Sequence, residues 1–118
     1  MIAGIGIDLV DLDHMSDVLA NQSRIYKRIL TESEIVLYNE RTDKGKIEFL
    51  AGRFAAKEAF AKAMGTGIGK VVNFHSISIL NDEKGTPIVR DSPFSGNVYI
   101  SISHSKYSAV AQIVLETE

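Results

Sequence analysis

Asp8, Glu58 and Lys62 are the residues whose types and spacing best suit chemistry on a phosphate. Asp8 closes an alternating run, GIGID, near the start of the chain. Glu58 and Lys62 lie one helical turn apart in FAAKEAFAKAMG (54–65), which also carries Lys57. Two hard carboxylates suit Mg²⁺, which keeps much of its hydration and takes one or two protein carboxylates plus substrate phosphates. An ordinary Glu–Lys pair on a solvated strip would stabilise a helix by a few tenths of a kcal/mol. Here the neighbouring positions are alanine, glycine, phenylalanine and methionine almost all round, the pattern of a helix enclosed by protein. Removing charges from water is costly, so the charged group is expected to face a ligand-filled cleft.

The elements that must position these groups follow from periodicity. In residues 2–10, Ile5, Ile7 and Leu9 face one way and Gly4, Gly6 and Asp8 the other, which predicts a strand with a close-packing glycine face. If the charged helix packs there, Asp8 and Glu58 converge. Residues 13–20 predict a helix, and Thr31-Glu32-Ser33-Glu34 reads as a capping box opening a second helix to about Glu40. TDKGK (42–46) reads as a polar turn, and the charged helix is expected from about Ile47 to Met64. From Val71 onward VVNFHSISIL, TPIVR, NVYISIS and YSAVAQIVL read as strands. The expected fold class is α+β, one domain over residues 1–118, with helices on a mostly antiparallel sheet.

Two other places have chemistry-bearing residues. GTGIGK follows a helix, whereas a phosphate loop precedes one, so Gly65 reads as a C-cap. The remaining glycines could still bring backbone close to a ligand. His104, flanked by Ser103, Ser105 and Lys106, ends the face carrying Val98, Ile100 and Ile102 and could form a phosphate-binding corner. No carboxylate with triad-like spacing accompanies it, which argues against Ser/His nucleophilic catalysis.

Bulk properties exclude several classes. A net charge of −2 argues against generic nucleic-acid binding. The absence of cysteine excludes disulfides and thiolate chemistry. No apolar run approaches the ~20 residues of a membrane span, and MIAGIGIDLVDL lacks the basic start of a signal peptide. The expected location is the cytoplasm.

Gly6-Ile7-Asp8 together with Phe54, Lys57, Glu58, Ala59 and Lys62 matches a paired signature, G-[IV]-D and F-x-x-K-E-[SA]-x-x-K. With GIGIDLV (4–10), ILTESE (29–34), EFLAGRFAAKEAFAKAMGTGIG (48–69) and the late ISHS, the chain resembles the short, single-lobe 4′-phosphopantetheinyl transferases of the holo-[acyl-carrier-protein] synthase family. The resemblance implies transfer of 4′-phosphopantetheine from coenzyme A to a serine of acyl carrier protein, releasing adenosine 3′,5′-bisphosphate, in support of fatty acid biosynthesis. It implies that Asp8 and Glu58 hold Mg²⁺ and that Lys62 neutralises phosphate oxygens. Arg53, His104 and Ser105 would surround the nucleotide's phosphate end, Lys44 would lie near the adenine or 3′-phosphate, and Gly65 would also contact the coenzyme. Glu58, His104 or a water on the metal could accept the serine proton. It further implies a homotrimer with sites between subunits. Arg24, Lys27 and Arg28, interleaved with Ile25 and Tyr26, would form a docking surface for the acidic carrier protein. His14 would join them, standing where relatives often carry a stronger base. The competing reading is a Mg²⁺-dependent nucleotide phosphohydrolase using the same carboxylate pair. A non-enzymatic trimeric module, its internal charges fixing assembly, is the third.

Overall fold

A computed structural model describes residues 1–118. The chain opens with strand β1 (Ile2–Asp11), followed by helices α1 (Leu12–Asn21), α2 (Ile25–Ile29), α3 (Glu32–Asn39) and α4 (Asp43–Met64). A 3-10 turn at Phe74–Ser76 leads to β2 (Ser78–Asn81), β3 (Pro87–Asp91), β4 (Asn97–His104) and β5 (Ser108–Glu116). The strands form two antiparallel sheets: a three-stranded one in the order β1-β5-β4, and a β2-β3 hairpin. The expected α+β class is what the structure shows. No helix is long and apolar enough to cross a membrane.

α4 is the spine of the domain, and it is enclosed because the strands beneath it lack bulk. Gly4 and Gly6 of β1 meet the α4 backbone so closely that a Cβ on either would land inside the carbonyl oxygen of Ala63 or Ala59. On β5 the same face carries Ala109, Ala111, Ile113 and Leu115, all buried. On the helix side Ala51, Ala55, Ala56, Ala59 and Ala63 keep the backbone low on the sheet. Glycine and alanine thus trade side-chain area for closeness, and Leu50 and Phe60, fully buried, fill the space left.

Four local expectations need correction. TDKGK is not a turn but the first turn of α4: Thr42 caps it, its Oγ1 accepting from Gly45 N at 3.1 Å. The helix therefore starts at Asp43 and not near Ile47, so Glu48 and Gly52 lie well inside it. The five-residue α2 was not expected, and VVNFHSISIL is a loop and 3-10 turn before a four-residue strand. The cap at Gly65 is as expected: its φ is 79°, and the amides of Thr66 and Gly67 return to the Ala61 carbonyl.

The opposite face of the three-stranded sheet carries no covering element. Ile5, Ile7 and Leu9 are 62%, 57% and 68% exposed, and Tyr99 stands over the same face from β4.

Candidate active site

The alternation of β1 puts Asp8 on the inner face, opposite Ala111 of β5 and beneath the last turns of α4. Lys62 reaches down from the helix and donates to Asp8 Oδ1 at 3.0 Å and to the Ile7 carbonyl at 3.1 Å. The ordinary Glu58–Lys62 pair along the helix, the alternative to a cleft, does not form; Lys62 bridges helix to strand instead. Glu58 is half-buried, one turn before Lys62. Burial, first, and the Asp8 charge, second, push its carboxyl above the usual range, with Lys62 opposing them. Two carboxylates with one ammonium beside them form a site still short of positive charge, and Glu58 carries the cost of it. The donor set is oxygen only, and no third ligating side chain joins it. That chemistry fits a hard divalent cation that takes its other ligands from water and phosphate.

The third charge of the helix behaves differently. Lys57 is 1% exposed and faces no cleft: its ammonium meets Glu34 Oε1 at 2.5 Å and the carbonyls of Ile29 and Phe74 at 2.6 and 2.7 Å. The expectation that all three charges line a ligand cleft therefore fails for Lys57, which found its counterion in the capping residue of α3. Burial pulls its pKa down and the Glu34 charge opposes this.

A second polar cleft, about 210 Å³, lies at the other end of α4. Arg53 lines it, packed over the Phe49 ring at 4.2 Å and donating to the Ile79 carbonyl (3.2 Å) and Asn81 Oδ1 (2.9 Å). Burial lowers its pKa to about 10, so the guanidinium remains charged at neutral pH. His104 joins it from β4, with Nδ1 3.6 Å from Glu48 Oε2. So a carboxylate does accompany His104, supplied by α4 across the fold and not by a neighbour in sequence. Ser105 Oγ is engaged with backbone, accepting from the amides of Tyr107 and Ser108 to close the β4–β5 turn. Lys44 is exposed on the first turn of α4, next to Gly45, which does line the cleft. Arg41, Glu48 and Asn81 also line it and were not singled out from sequence, because three separate segments bring them together.

The expected site is therefore split within one protomer. Asp8, Glu58 and Lys62 come together, with Gly65 ending their helix; Arg53 and His104 come together elsewhere, in a cleft lined by none of those three. Of the residues expected to dock a carrier, His14, Ile25 and Arg28 line one groove of about 740 Å³ with Phe54 and Phe74, while Arg24 lies on the adjoining surface with Arg28.

A family model described as the 4′-phosphopantetheinyl transferase superfamily matches residues 4–115. The chain belongs to that superfamily. It is 50% identical to the holo-[acyl-carrier-protein] synthase of Anoxybacillus flavithermus over 98% of this chain and 97% of the relative. With the synthase of Enterococcus faecalis it shares 49% over the whole of both chains. The crystal structure of the Bacillus anthracis synthase, in complex with CoA (3′,5′-ADP), superposes with a TM-score of 0.94 at 47% identity, covering 100% of this chain and 99% of the other. The transferase signature therefore falls on residues with distinct physical roles: a carboxylate cluster (Asp8, Glu58, Lys62), a buried latch (Lys57) and a wall of the groove (Phe54).

Proposed function

We propose that this transferase moves 4′-phosphopantetheine from coenzyme A to a serine hydroxyl of apo acyl carrier protein, with Mg²⁺ held by Asp8 and Glu58. The observation that carries the reading is the convergence of Asp8 and Glu58 beside Lys62, the Asp8 charge acting on Glu58, in a chain whose relatives are named holo-[acyl-carrier-protein] synthases. When bound, the cation would supply charge neutralisation on the pyrophosphate. The rest is the work of side chains. Lys62 releases Asp8 to turn its ammonium to phosphate oxygens. Arg53 and His104 receive the phosphate end of the nucleotide. The serine oxygen forms a bond to the pantetheine-side phosphorus as the bond to adenosine 3′,5′-bisphosphate breaks, and that product leaves with the electron pair. Positioning and neutralisation carry most of such a transfer. Two side chains can take the serine proton, Glu58 and His104, and the upward push on Glu58 brings it closer to the working range of a base.

The split of the site supports an assembly of protomers, read here as a homotrimer in which one subunit's Asp8 cluster faces another's Arg53 cleft. The uncovered row Ile5, Ile7 and Leu9 supports it too, since a contiguous apolar face of this kind marks an interaction surface. The basic α2 and the groove beside it are read as the carrier-docking surface, and the metabolic role as fatty acid biosynthesis in the cytoplasm. Mass spectrometry of apo carrier protein incubated with this protein, coenzyme A and Mg²⁺ tests the activity. A gain of one phosphopantetheine arm is expected; release of adenosine bisphosphate without any carrier would favour hydrolysis instead.

A further inference from the structure

Lys57 takes no part in the chemistry above, yet it is the most completely enclosed charge in the protein after Glu34. An ammonium has three donors, and three acceptors converge on this one: Glu34 of α3, the Ile29 carbonyl ending α2, and the Phe74 carbonyl of the 3-10 turn. Glu34 is saturated in turn by the amides of Thr31 and Ile79, each at 2.8 Å. One side chain on α4 thereby ties down three separate segments. Two of them form the docking groove. α2 has five residues and no side-chain cap, too little to hold itself, and it presents Ile25 and Arg28 to the groove. Phe74 stacks on Phe54 at 5.4 Å between ring centroids, and Phe54 stands one helical turn before Glu58.

We propose that Lys57 is a positioning residue for the acceptor protein, fixing α2 and Phe74 to the helix that carries Glu58. This rests on the transfer reading given above. A buried ion pair is a poor source of stability compared with well-packed apolar groups, so stability alone does not account for an ammonium here. Its three-way geometry does what an apolar residue cannot: it sets the distance between the surface that receives the carrier and the carboxylate cluster that receives its serine.

The test separates position from stability. Lys57→Met alone strands the Glu34 charge and is expected to unfold readily. Lys57→Met with Glu34→Gln removes both charges, and the glutamine amide can still accept from the Ile79 amide. That double variant is expected to fold, to keep its KM for coenzyme A within about twofold, and to raise its KM for carrier protein by about fivefold or more. Wild-type kinetics for both substrates in a folded double variant would overturn the proposal. Native-state hydrogen exchange on the wild-type protein gives a second reading that needs no variant. The Leu30 amide, bonded to the Tyr26 carbonyl at the end of α2, should exchange as slowly as amides in the middle of α4. Exchange at the rate of a fraying end would also overturn it. Failure of the wild-type protein to load any carrier would overturn the transfer reading, whereas the exchange result bears on the latch alone.

Discussion

Replacing Gly6 by alanine adds one methyl group where β1 crosses α4. The new Cβ would fall inside the Ala59 carbonyl oxygen and 2.9 Å from the Ala63 amide nitrogen. Both obstacles are helix backbone and cannot rotate aside, so strand and helix must separate by roughly 1 Å or more to restore ordinary contact. Overpacking of this kind costs about 1–3 kcal/mol, and backbone against backbone belongs at the upper end. For a domain of this size that corresponds to a fall in Tm of roughly 10 °C. The same retreat stretches the 3.0 Å Lys62–Asp8 contact beyond hydrogen-bonding range and widens the gap between Asp8 and Glu58. A misplacement of about 1 Å in a transfer site can cost up to about a hundredfold in rate. Thermal melts followed by circular dichroism, and carrier loading measured well below both melting points, read the two effects separately. Gly69→Ala is the control: open space surrounds that position, and a change within about 0.5 kcal/mol is expected. A Gly6→Ala protein that melts within about 2 °C of wild type would refute the close-approach reasoning.

Asp8→Ala and Glu58→Ala should each abolish loading with the fold retained, and chelation of divalent cations should do the same to wild type until Mg²⁺ is restored; full activity in Asp8→Ala would remove the metal assignment. Glu58→Gln should lose activity yet melt higher than wild type at neutral pH. The sign follows from the raised Glu58 pKa: the folded protein holds that proton more tightly than the unfolded chain, so ionisation destabilises the fold above the folded pKa. The difference in Tm between variant and wild type should shrink as pH falls through the raised folded pKa and be gone below about 4, where the group is protonated in both states. Arg24→Glu with Arg28→Glu should raise the KM for carrier protein by about tenfold or more, equivalent to about 1.4 kcal/mol, while sparing coenzyme A. Added salt should weaken the wild-type interaction and harm the double variant less; unchanged carrier kinetics at low salt would return these arginines to an ordinary solvated turn.

The features legible in the sequence were those whose cause is local. A two-residue alternation with glycine on one side is enough to predict that β1 meets a helix closely, because no other side chain permits it. Gly65 declares its left-handed cap in the same way. Partnerships across the fold were not legible. A helical wheel shows that Lys57 points into the apolar stripe, but its counterion comes from Glu34, whose capping-box role seemed sufficient explanation for its presence. The spacing of Lys62 allowed a turn along its own helix toward Glu58; it reaches Asp8 because the glycines bring the strand within range. The start of α4 was misread because Gly45 and its lysine neighbours resemble a turn, although Thr42 is an ordinary helix cap. Glu48 fell inside the expected helix all the same; its pairing with His104 of β4 is a contact across the fold, which spacing along the chain does not show.

The placement of β5 between β1 and β4 bears on how the protein comes into being. The strand made last of the five is the one that both outer strands require, so β1 has no sheet partner until Ser108–Glu116 exists. During synthesis the helices can condense first, while Ile5, Ile7 and Leu9 remain on an unpaired strand. Pairings of such long sequence separation form slowly, and their precursors are the species most exposed to aggregation. Asp8 leaves the ribosome before the other residues of its site, and the strand that carries it is among the last to be paired.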